Sequence, residues 1–343
     1  MKRISLIFEK PFEVGLREET LPKVKAREVL VKTQFSAISP GTEMLVYQGQ
    51  MPFDMPLDAN IKTLAQTLRY PLKYGYTAVG EVIGLGSAVK KDWLHRKVFG
   101  FHPHESYSVA NPNELIPIPA DIDPQAALFL SNMETAVNFV MDGRPLIGEC
   151  VVVLGQGIVG LLTTALLAQF PLTSLVTLDR FALRRQKSLE MGASSSLDPH
   201  RPEVASTLAR ILSAHNGEGM ADLVYEVSGN PEALNQAVSV AGFGARIVIG
   251  SWYGAKQAHL DLGRRFHRHR IQLRSSQVST LAPELTGRWT KTRRFAVAWD
   301  MIRRVQPTQL ITQRFPISRA RQAFERLDQK PEETVQIVLV YDD

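Results

Sequence analysis

Three glycines, Gly155, Gly157 and Gly160, lie between a short β-branched run and an apolar run. The run CVVVLG before them predicts a buried parallel strand, and LLTTALLAQF after them predicts a buried helix. At such a junction the first glycine permits a tight turn, the second lets the backbone approach a phosphate, and the third allows helix and strand to pack closely. Unpaired amide donors at the start of the helix complete the anion site. The spacing therefore predicts a dinucleotide-binding turn made of Gly155, Gln156, Gly157, Ile158, Val159 and Gly160.

An acidic residue, Asp179, ends the next predicted strand, SLVTLD. A carboxylate about 20 residues beyond the glycines can accept hydrogen bonds from ribose hydroxyls and repels a 2′-phosphate, which favours NAD. Arg180 and Arg184 follow, and arginine can bind a 2′-phosphate through paired hydrogen bonds. We therefore predict Asp179, Arg180 and Arg184 as cofactor contacts, with NAD favoured and NADP kept open.

Strand and helix patterns continue to alternate beyond Asp179, which is typical of a doubly wound parallel sheet. ADLVYEVSG and ARIVIGSW predict two further strands, with the helix PEALNQAVSVA between them. Ligands bind such sheets at the carboxyl ends of the strands. The ends of these strands supply candidates for the nicotinamide end of the cofactor: Val227, Ser228, Gly229, Gly250, Ser251 and Trp252.

The chain on either side of this region has a different pattern. Residues 1–130 contain short β-branched segments separated by glycine and proline turns, which predicts a compact, barrel-like β domain. The final 30 or so residues predict an amphipathic helix and a last strand outside the parallel sheet. We therefore predict a substrate domain formed by residues 1–130 and 280–343, with a dinucleotide-binding domain, residues 131–279, inserted into it.

Composition narrows the class of protein. The chain has 343 residues and one cysteine, Cys150, so neither an internal disulfide nor a cysteine-based zinc cage can form. No apolar run reaches the ~18–20 residues that cross a bilayer, and we expect a cytoplasmic protein without a membrane partner. The net charge of +6 is concentrated in residues 263–274 and 287–294. We interpret these segments as solvated basic surfaces, with attraction of an anionic substrate as the alternative. No nucleic-acid binding is expected, because no recognised module accompanies the charge.

Six motifs occur in a characteristic order: SAISPGTEMLVYQG, YPLKYGYTAVGEVIGLG, SNMETAVNFV, VVVLGQGIVGLL, YEVSGNPEAL and VIGSW. With these motifs the chain resembles, over essentially its whole length, the medium-chain dehydrogenase/reductase superfamily, which includes zinc alcohol dehydrogenases and zinc-free quinone oxidoreductases. The resemblance implies a Rossmann domain inserted into a GroES-like barrel domain, and a homodimer or homotetramer. It also implies a nicotinamide cofactor, with Thr135 near the nicotinamide.

The positions that bind zinc in this family carry other residue types here. The resemblance places the first ligand position at Pro40, or at Ser39 if the turn is offset, the second at Tyr76 and the third near Ser131. Thr77 replaces the acid beside the second. None is a good zinc ligand, and we expect no zinc. The alternative is a rebuilt metal site formed from His102, His104, Glu105 or Glu134.

Without zinc, hydroxyl or imidazole groups must stabilise the oxygen whose charge changes during hydride transfer. The resemblance implies that Thr42 is a proton-relay hydroxyl and that Glu43 lies behind it, where an interior salt bridge, perhaps to an arginine, is an alternative role. Tyr76 can donate its phenol proton to a carbonyl, unless it is an ordinary core tyrosine. Histidine can carry protons near neutral pH. The catalytic candidates are Thr42, Tyr76, Glu43 and His102, with His104 as a further proton carrier.

The segment 51–76 is long for a connection and mixes methionine, proline and aromatic residues, which predicts a lid or pocket wall for a bulky, partly apolar small molecule. Aromatic candidates for the pocket are Tyr47, Tyr70, Tyr74, Phe101, Trp252 and Tyr253. The resulting hypothesis is a zinc-independent oxidoreductase that uses NAD(H) and a bulky secondary alcohol or ketone. The alternatives are an NADPH-dependent enone or quinone reductase and a dinucleotide-binding protein without catalysis.

Overall fold

The computed structural model describes residues 2–52, 54, 56, 67–216 and 218–341. The chain folds into two compact units, the first built from residues up to Ser131 and from Gln306 onward, the second from Asn132–Val305. The second unit is inserted into the first, as the sequence predicts. The chain returns to the first unit at Gln306 rather than at residue 280.

The elements alternate between strand-rich and mixed regions along the described residues. The strands are β1 (Lys2–Lys10), β2 (Glu13–Thr20), β3 (Val29–Ile38), β4 (Ala78–Leu85), β5 (Lys97–Gly100), β6 (Tyr107–Ala110), β7 (Leu115–Pro117), β8 (Cys150–Leu154), β9 (Ser174–Leu178), β10 (Ser195–Leu197), β11 (Ala221–Glu226), β12 (Ala241–Ile249), β13 (Gln272–Ser275), β14 (Ile311–Pro316) and β15 (Gln336–Val340). The α-helices are α1 (Thr42–Tyr47), α2 (Pro124–Ala127), α3 (Leu130–Gly143), α4 (Ile158–Leu167), α5 (Ala182–Glu190), α6 (Val204–Asn216), α7 (Ala233–Val240), α8 (Lys291–Val305) and α9 (Ala320–Gln329).

The first unit is rich in antiparallel strands. Its larger sheet has the order β14-β15-β3-β4-β5-β7, with β6 paired to β3, and only β14 and β15 run parallel among the described pairs. Strands β1 and β2 form a separate antiparallel pair. One core cluster packs the aromatic rings of Phe8, Tyr47 and Phe324 against each other, with centroids 5.2 and 5.5 Å apart. Tyr47 and Tyr74 are therefore core residues and not pocket surface.

The second unit has a parallel sheet in the order β10-β9-β8-β11-β12-β13. Counted from β8, this is the order 3-2-1-4-5-6 of a Rossmann dinucleotide-binding fold. Every residue of β8 is buried, because a parallel sheet is covered by helices on both faces. Successive residues of β8 point to opposite sides: Val152 joins one core cluster, and Val151 and Val153 join the other. The predicted fold class is confirmed.

Short polar strands escaped the sequence analysis. The segments that form β10 and β13, SSL and QLRS, have neither β-branched runs nor alternating polarity. They form strands because the sheet beside them offers a free edge of backbone donors and acceptors. Local pattern alone carries no such information.

Most of the predicted lid segment, residues 53, 55 and 57–66, lies outside the described residues. Its role remains a prediction. No helix in the described parts of the chain has the length and apolar character to cross a bilayer.

A buried arginine organises the second unit. Arg294 is fully buried, and its guanidinium donates to the Glu134 carboxylate at 2.8 and 3.0 Å and to the Asn138 side chain at 2.5 Å. It also donates to the carbonyls of Val278 and Thr280. Burial raises the pKa of Glu134, and Arg294 opposes this effect. The basic segment 287–294 is therefore not simply a solvated surface, because its last residue links α8 to α3.

We expect Arg294→Ala to lower the free energy of unfolding by about 3–5 kcal/mol, because the change leaves the Glu134 carboxylate buried without its cation. Urea denaturation measures this loss. The control is Arg321→Ala, which removes an exposed i,i+4 pair with Glu325 and should cost at most about 0.5 kcal/mol. A loss below about 1 kcal/mol for Arg294→Ala would contradict the role of this pair.

Candidate functional site

A cluster of three hydroxyl side chains lies in the first unit, where α1 begins. The Tyr76 hydroxyl donates to Ser39 Oγ at 2.5 Å and lies 3.4 Å from Thr42 Oγ1. Ser39 follows β3, Thr42 is the first residue of α1, and Tyr76 precedes β4. We call Ser39, Thr42 and Tyr76 the hydroxyl cluster. The structure thus brings together two of the predicted catalytic residues, Thr42 and Tyr76, with a third hydroxyl that the resemblance placed at an offset ligand position.

A fully buried carboxyl group lies behind this cluster. Glu43 Oε1 accepts the backbone N–H of Ser39 at 3.0 Å, and Glu43 Oε2 is 2.8 Å from His104 Nε2. The other imidazole nitrogen of His104 is 2.7 Å from Ser36 Oγ, which in turn is 2.9 Å from the Tyr341 hydroxyl. The interior partner of Glu43 is therefore a histidine and not an arginine. Neither Ser36 nor Tyr341 carries a local signal that the sequence analysis could have used.

Two further hydroxyls meet at the remaining positions that the resemblance assigned to zinc. Thr77 Oγ1 lies 3.1 Å from Ser131 Oγ, and both side chains are buried. The positions named in the sequence analysis are thus occupied by side chains that bond to one another.

His102 lies elsewhere in the first unit. Its imidazole packs over Gly100, where an added Cβ would be 2.3 Å from His102 Cδ2. Burial lowers the pKa of His102 to about 4, although Glu114 opposes this effect, so the imidazole is neutral at physiological pH. Its Nε2 is buried and has no hydrogen-bond partner among the described residues. The structure does not bring His102 to Thr42, Glu43 or Tyr76 through any hydrogen bond of the described residues.

The residues of the alternative metal site have separate partners. Glu105 pairs with Arg3 at 3.0 Å and with Lys73 at 3.6 Å, and Glu134 pairs with Arg294. His104 bonds to Glu43. In the parts of the chain that the structure describes, no three histidine, cysteine or acidic side chains come together as a metal site.

The glycine turn of the second unit joins β8 to α4. Gly155 has φ of +95°, and an added Cβ would be 2.5 Å from Ser228 Cα. At Gly160 an added Cβ would be 2.1 Å from the Gly155 carbonyl oxygen. At Gly157, directly before α4, an added Cβ would meet no protein atom within 4 Å. Gly155 and Gly160 therefore serve the fold, whereas the space at Gly157 is open to a ligand.

The side chain of Gln156 is directed into the protein. It is fully buried and bonds to the Gly155 carbonyl and to Thr164. Ile158 and Val159 begin α4, whose first N–H groups have no partner within the helix. The turn therefore offers a ligand its backbone, and Gln156 holds the turn in place.

Asp179 is buried at the end of β9. Its Oδ2 accepts the backbone N–H of Gln156 at 2.8 Å, and its Oδ1 accepts that of Phe181 at 2.8 Å. Each carboxylate oxygen can accept a further hydrogen bond. The Arg180 and Arg184 guanidiniums lie 4.4 and 4.8 Å from the centre of the Phe181 ring, as in cation–π contacts. One carboxylate and two arginines are thus grouped beside the glycine turn.

The ends of β11 and β12 are held together by a buried acid, Glu226. Its carboxylate accepts the Ser228 N–H at 2.8 Å and the hydroxyls of Ser228 and Tyr253, and its backbone carbonyl accepts the Gly250 N–H at 2.9 Å. Burial, and secondarily Glu226, raise the pKa of Tyr253. The sequence analysis did not predict Glu226, although an acid at the end of an apolar strand is a visible signal.

The remaining predicted contacts surround Glu226 or lie on α3. Val227 donates its N–H to the Leu154 carbonyl, and Gly229 donates its N–H to Ser251 Oγ at 2.8 Å. Trp252 follows directly and is 40% exposed. Thr135 is half-buried on α3. The predicted residues at the ends of β8, β11 and β12 therefore meet at one edge of the parallel sheet.

Known proteins share this sequence pattern and fold. Residues 159–297 match the family described as zinc-binding dehydrogenase. The alcohol dehydrogenase RspB of Escherichia coli CFT073, solved in complex with NADH, superimposes with a TM-score of 0.79 over 99% of both chains at 19% identity. The chain belongs to the medium-chain dehydrogenase/reductase superfamily, of the zinc-type branch.

Curated relatives are similar over most of the chain. D-guloside 3-dehydrogenase of Shigella flexneri is 22% identical over 311 residues, which cover 87% of each chain. L-threonine 3-dehydrogenase of Bacillus subtilis is 25% identical over 274 residues, which cover 69% of this chain and 72% of the relative. The predicted resemblance to the superfamily is thereby confirmed.

Two alanine substitutions should separate binding from folding in the glycine turn. Gly157→Ala adds a methyl group to open space at an ordinary φ of −66°, so the free energy of unfolding should stay within about 1 kcal/mol of wild type. The same methyl group faces the expected pyrophosphate, and NADH affinity should fall about tenfold or more. Nicotinamide fluorescence measures the affinity.

Gly160→Ala is the matched control for the turn. Its methyl group would clash with the backbone at Gly155, so it should destabilise the fold by about 2 kcal/mol or more. Unchanged NADH affinity in a stable Gly157→Ala protein would contradict a pyrophosphate site at this turn.

Proposed function

We propose that the protein transfers hydride between NAD(H) and a secondary alcohol or ketone, that it does so without zinc, and that its substrate is bulky and partly apolar. The observation that carries the proposal is the hydroxyl cluster, in which the Tyr76 hydroxyl lies 2.5 Å from Ser39 Oγ and 3.4 Å from Thr42 Oγ1. An oxidoreductase of this superfamily needs a proton donor or acceptor for the substrate oxygen, and the cluster supplies hydroxyls for this purpose.

The residues at the family's ligand positions do not fit zinc. Zinc in proteins is held by thiolates, imidazoles and carboxylates. Here Ser39 and Tyr76 form one hydrogen-bonded pair, and Thr77 and Ser131 form another. Neutral hydroxyls that already bond to each other are poor ligands for a divalent cation, so we derive no step through a metal.

The second unit fits a nicotinamide dinucleotide. The open space at Gly157 and the start of α4 would hold the pyrophosphate, and Asp179 would hold the adenosine ribose. The turns held by Glu226 would hold the nicotinamide end. The bound cofactor supplies or accepts the hydride.

The first unit would move the proton. When a ketone is reduced, the Tyr76 O–H bond breaks and its proton passes to the carbonyl oxygen, which becomes the alcohol hydroxyl. Ser39 and Thr42 stabilise the phenolate by hydrogen bonding. Oxidation of an alcohol follows the reverse path, with Tyr76 accepting the hydroxyl proton.

The substrate class has support from two directions. The names of both curated relatives describe dehydrogenation at carbon 3. The bulky and partly apolar character is the finer part of the proposal. It depends on the lid segment 51–76 and on aromatic residues that are not part of the core, such as the exposed Trp252.

The test uses protein treated with a chelator, with its metal content measured. We expect this protein to bind NADH, followed by nicotinamide fluorescence, and to reduce members of a panel of bulky ketones. Tyr76→Phe should lower kcat by about 10²–10⁴-fold, because a positioned acid contributes that much, while NADH affinity stays unchanged. Thr42→Val should cause a smaller loss. Tyr107→Phe, on β6 of the same unit, is the control and should be without effect.

Three results would oppose the proposal. Activity that is lost on chelation and restored by zinc would mean that a metal carries the chemistry. Full activity of Tyr76→Phe would remove the hydroxyl cluster from the reaction. Binding of neither NADH nor NADPH would reject the dehydrogenase itself, whereas binding without turnover on any carbonyl would favour a non-catalytic dinucleotide-binding protein.

Asp179→Asn should distinguish NAD from NADP. The amide keeps an acceptor oxygen but loses the charge, so NADH affinity should fall roughly 10- to 100-fold. NADPH affinity should fall less or rise, because the 2′-phosphate no longer meets a carboxylate and the Arg180 and Arg184 guanidiniums lie close by. Fluorescence titrations with both nucleotides measure the ratio. Equal losses for both would contradict ribose recognition by Asp179 and would favour the NADPH-dependent alternative.

A further inference from the structure

His104 is fully buried and is bonded at both ring nitrogens. Nε2 lies 2.8 Å from Glu43 Oε2, and Nδ1 lies 2.7 Å from Ser36 Oγ. Ser36 is itself bonded to the Tyr341 hydroxyl at 2.9 Å. The backbone carbonyl of His104 accepts the N–H of Leu6 at 2.9 Å. The imidazole therefore has one orientation, set by strands that lie far apart in the sequence.

Through Glu43, the imidazole reaches the segment that carries Ser39 and Thr42. The Glu43 side chain accepts the Ser39 N–H at 3.0 Å, and the Glu43 N–H donates to the Ser39 carbonyl at 3.1 Å. Ser39 is thus bonded to Glu43 through both its N–H and its carbonyl. Any movement of the Glu43 carboxyl group moves this turn.

The same imidazole also lies against the segment that carries Tyr76. An added Cβ at Gly75 would be 3.0 Å from both Cδ2 and Nε2 of His104, and Gly75 has φ of +127°. Gly75 directly precedes Tyr76. The chain before Tyr76 can approach the ring this closely only because residue 75 has no side chain.

We infer that His104 is a positioning residue for the hydroxyl cluster, holding Ser39 and Thr42 through Glu43 and Tyr76 through Gly75. This inference rests on the proposed function of the cluster. His104 has no hydrogen bond to the hydroxyls, so it acts through the geometry of the two segments. Misplacement of a reacting group by about 1 Å can cost about 10²-fold in rate, so the effect should be large.

The experiment compares His104→Gln with His104→Asn. The Gln amide can place a donor where Nε2 was and so keep the bond to Glu43, whereas the Asn amide reaches only the position of Nδ1. We expect His104→Asn to lower kcat about 10²-fold, with the Kd for NADH unchanged, and His104→Gln to recover at least tenfold of that loss. Ser36→Ala, which keeps the imidazole, should give a milder loss if the Asn variant does not fold.

The control is His95→Asn. His95 forms a His–Glu pair of the same length, 2.8 Å to Glu81, but its side chain is 73% exposed. Its loss should leave kcat and the Kd for NADH unchanged.

A second measurement separates this inference from the proposed function. In protein labelled with ¹³Cζ-tyrosine, the Tyr76 signal is identified by its loss in Tyr76→Phe. It should shift or broaden in His104→Asn and stay near its wild-type position in His104→Gln. If wild type reduces no ketone but the signal behaves in this way, the proposed function fails and the positioning role stands.

Two results would overturn the positioning role. The first is a Tyr76 signal and a kcat that His104→Asn leaves unchanged. The second is an equal loss in the Gln and Asn variants, because the bond to Glu43 would then not be the cause.

Discussion

A carboxyl group that folding removes from water must find donors inside the protein, and in the first unit this requirement sets the arrangement around Glu43. The fully buried side chain has one oxygen on the Ser39 N–H and the other on the His104 imidazole. Because leaving either oxygen unpaired would be costly, the turn before α1 and the histidine keep fixed positions. The hydroxyls of Thr42 and Tyr76 depend on that arrangement for their separation.

The second unit meets the same requirement with other donors. At Glu226 they are a backbone N–H and two hydroxyls, and at Asp179 they are two backbone N–H groups. Both acids end strands of the parallel sheet and hold the turns that follow those strands. Glu134, on α3, is instead neutralised by a buried cation, Arg294. Acids paired with N–H and O–H donors thus shape the expected ligand edge, and the ion pair links helices.

The two units differ in how far they follow the family pattern. The second retains the strand order, the glycine turn and the acid after it, because binding of a dinucleotide depends on backbone approach and helix ends. The first retains the β-rich scaffold but carries hydroxyls at the ligand positions, bonded in the pairs Ser39–Tyr76 and Thr77–Ser131. A fold can keep its architecture while the chemistry of its site changes, because the site depends on a few side chains and the fold on many.

The sequence by itself determined the fold class, the glycine turn and the position of Asp179, because strand runs, helix periods and turn glycines are local patterns. It also identified Thr42 and Tyr76 as candidates, through motifs near each other in the chain. Only the tertiary structure decided which histidine of HPH reaches Glu43, since two residues of one segment can face different neighbours. It alone joined Tyr341 to Ser36, 305 residues away, and buried Arg294 within a basic segment. Burial and long-range partners arise from how strands and helices pack, and no short pattern of residue types encodes them.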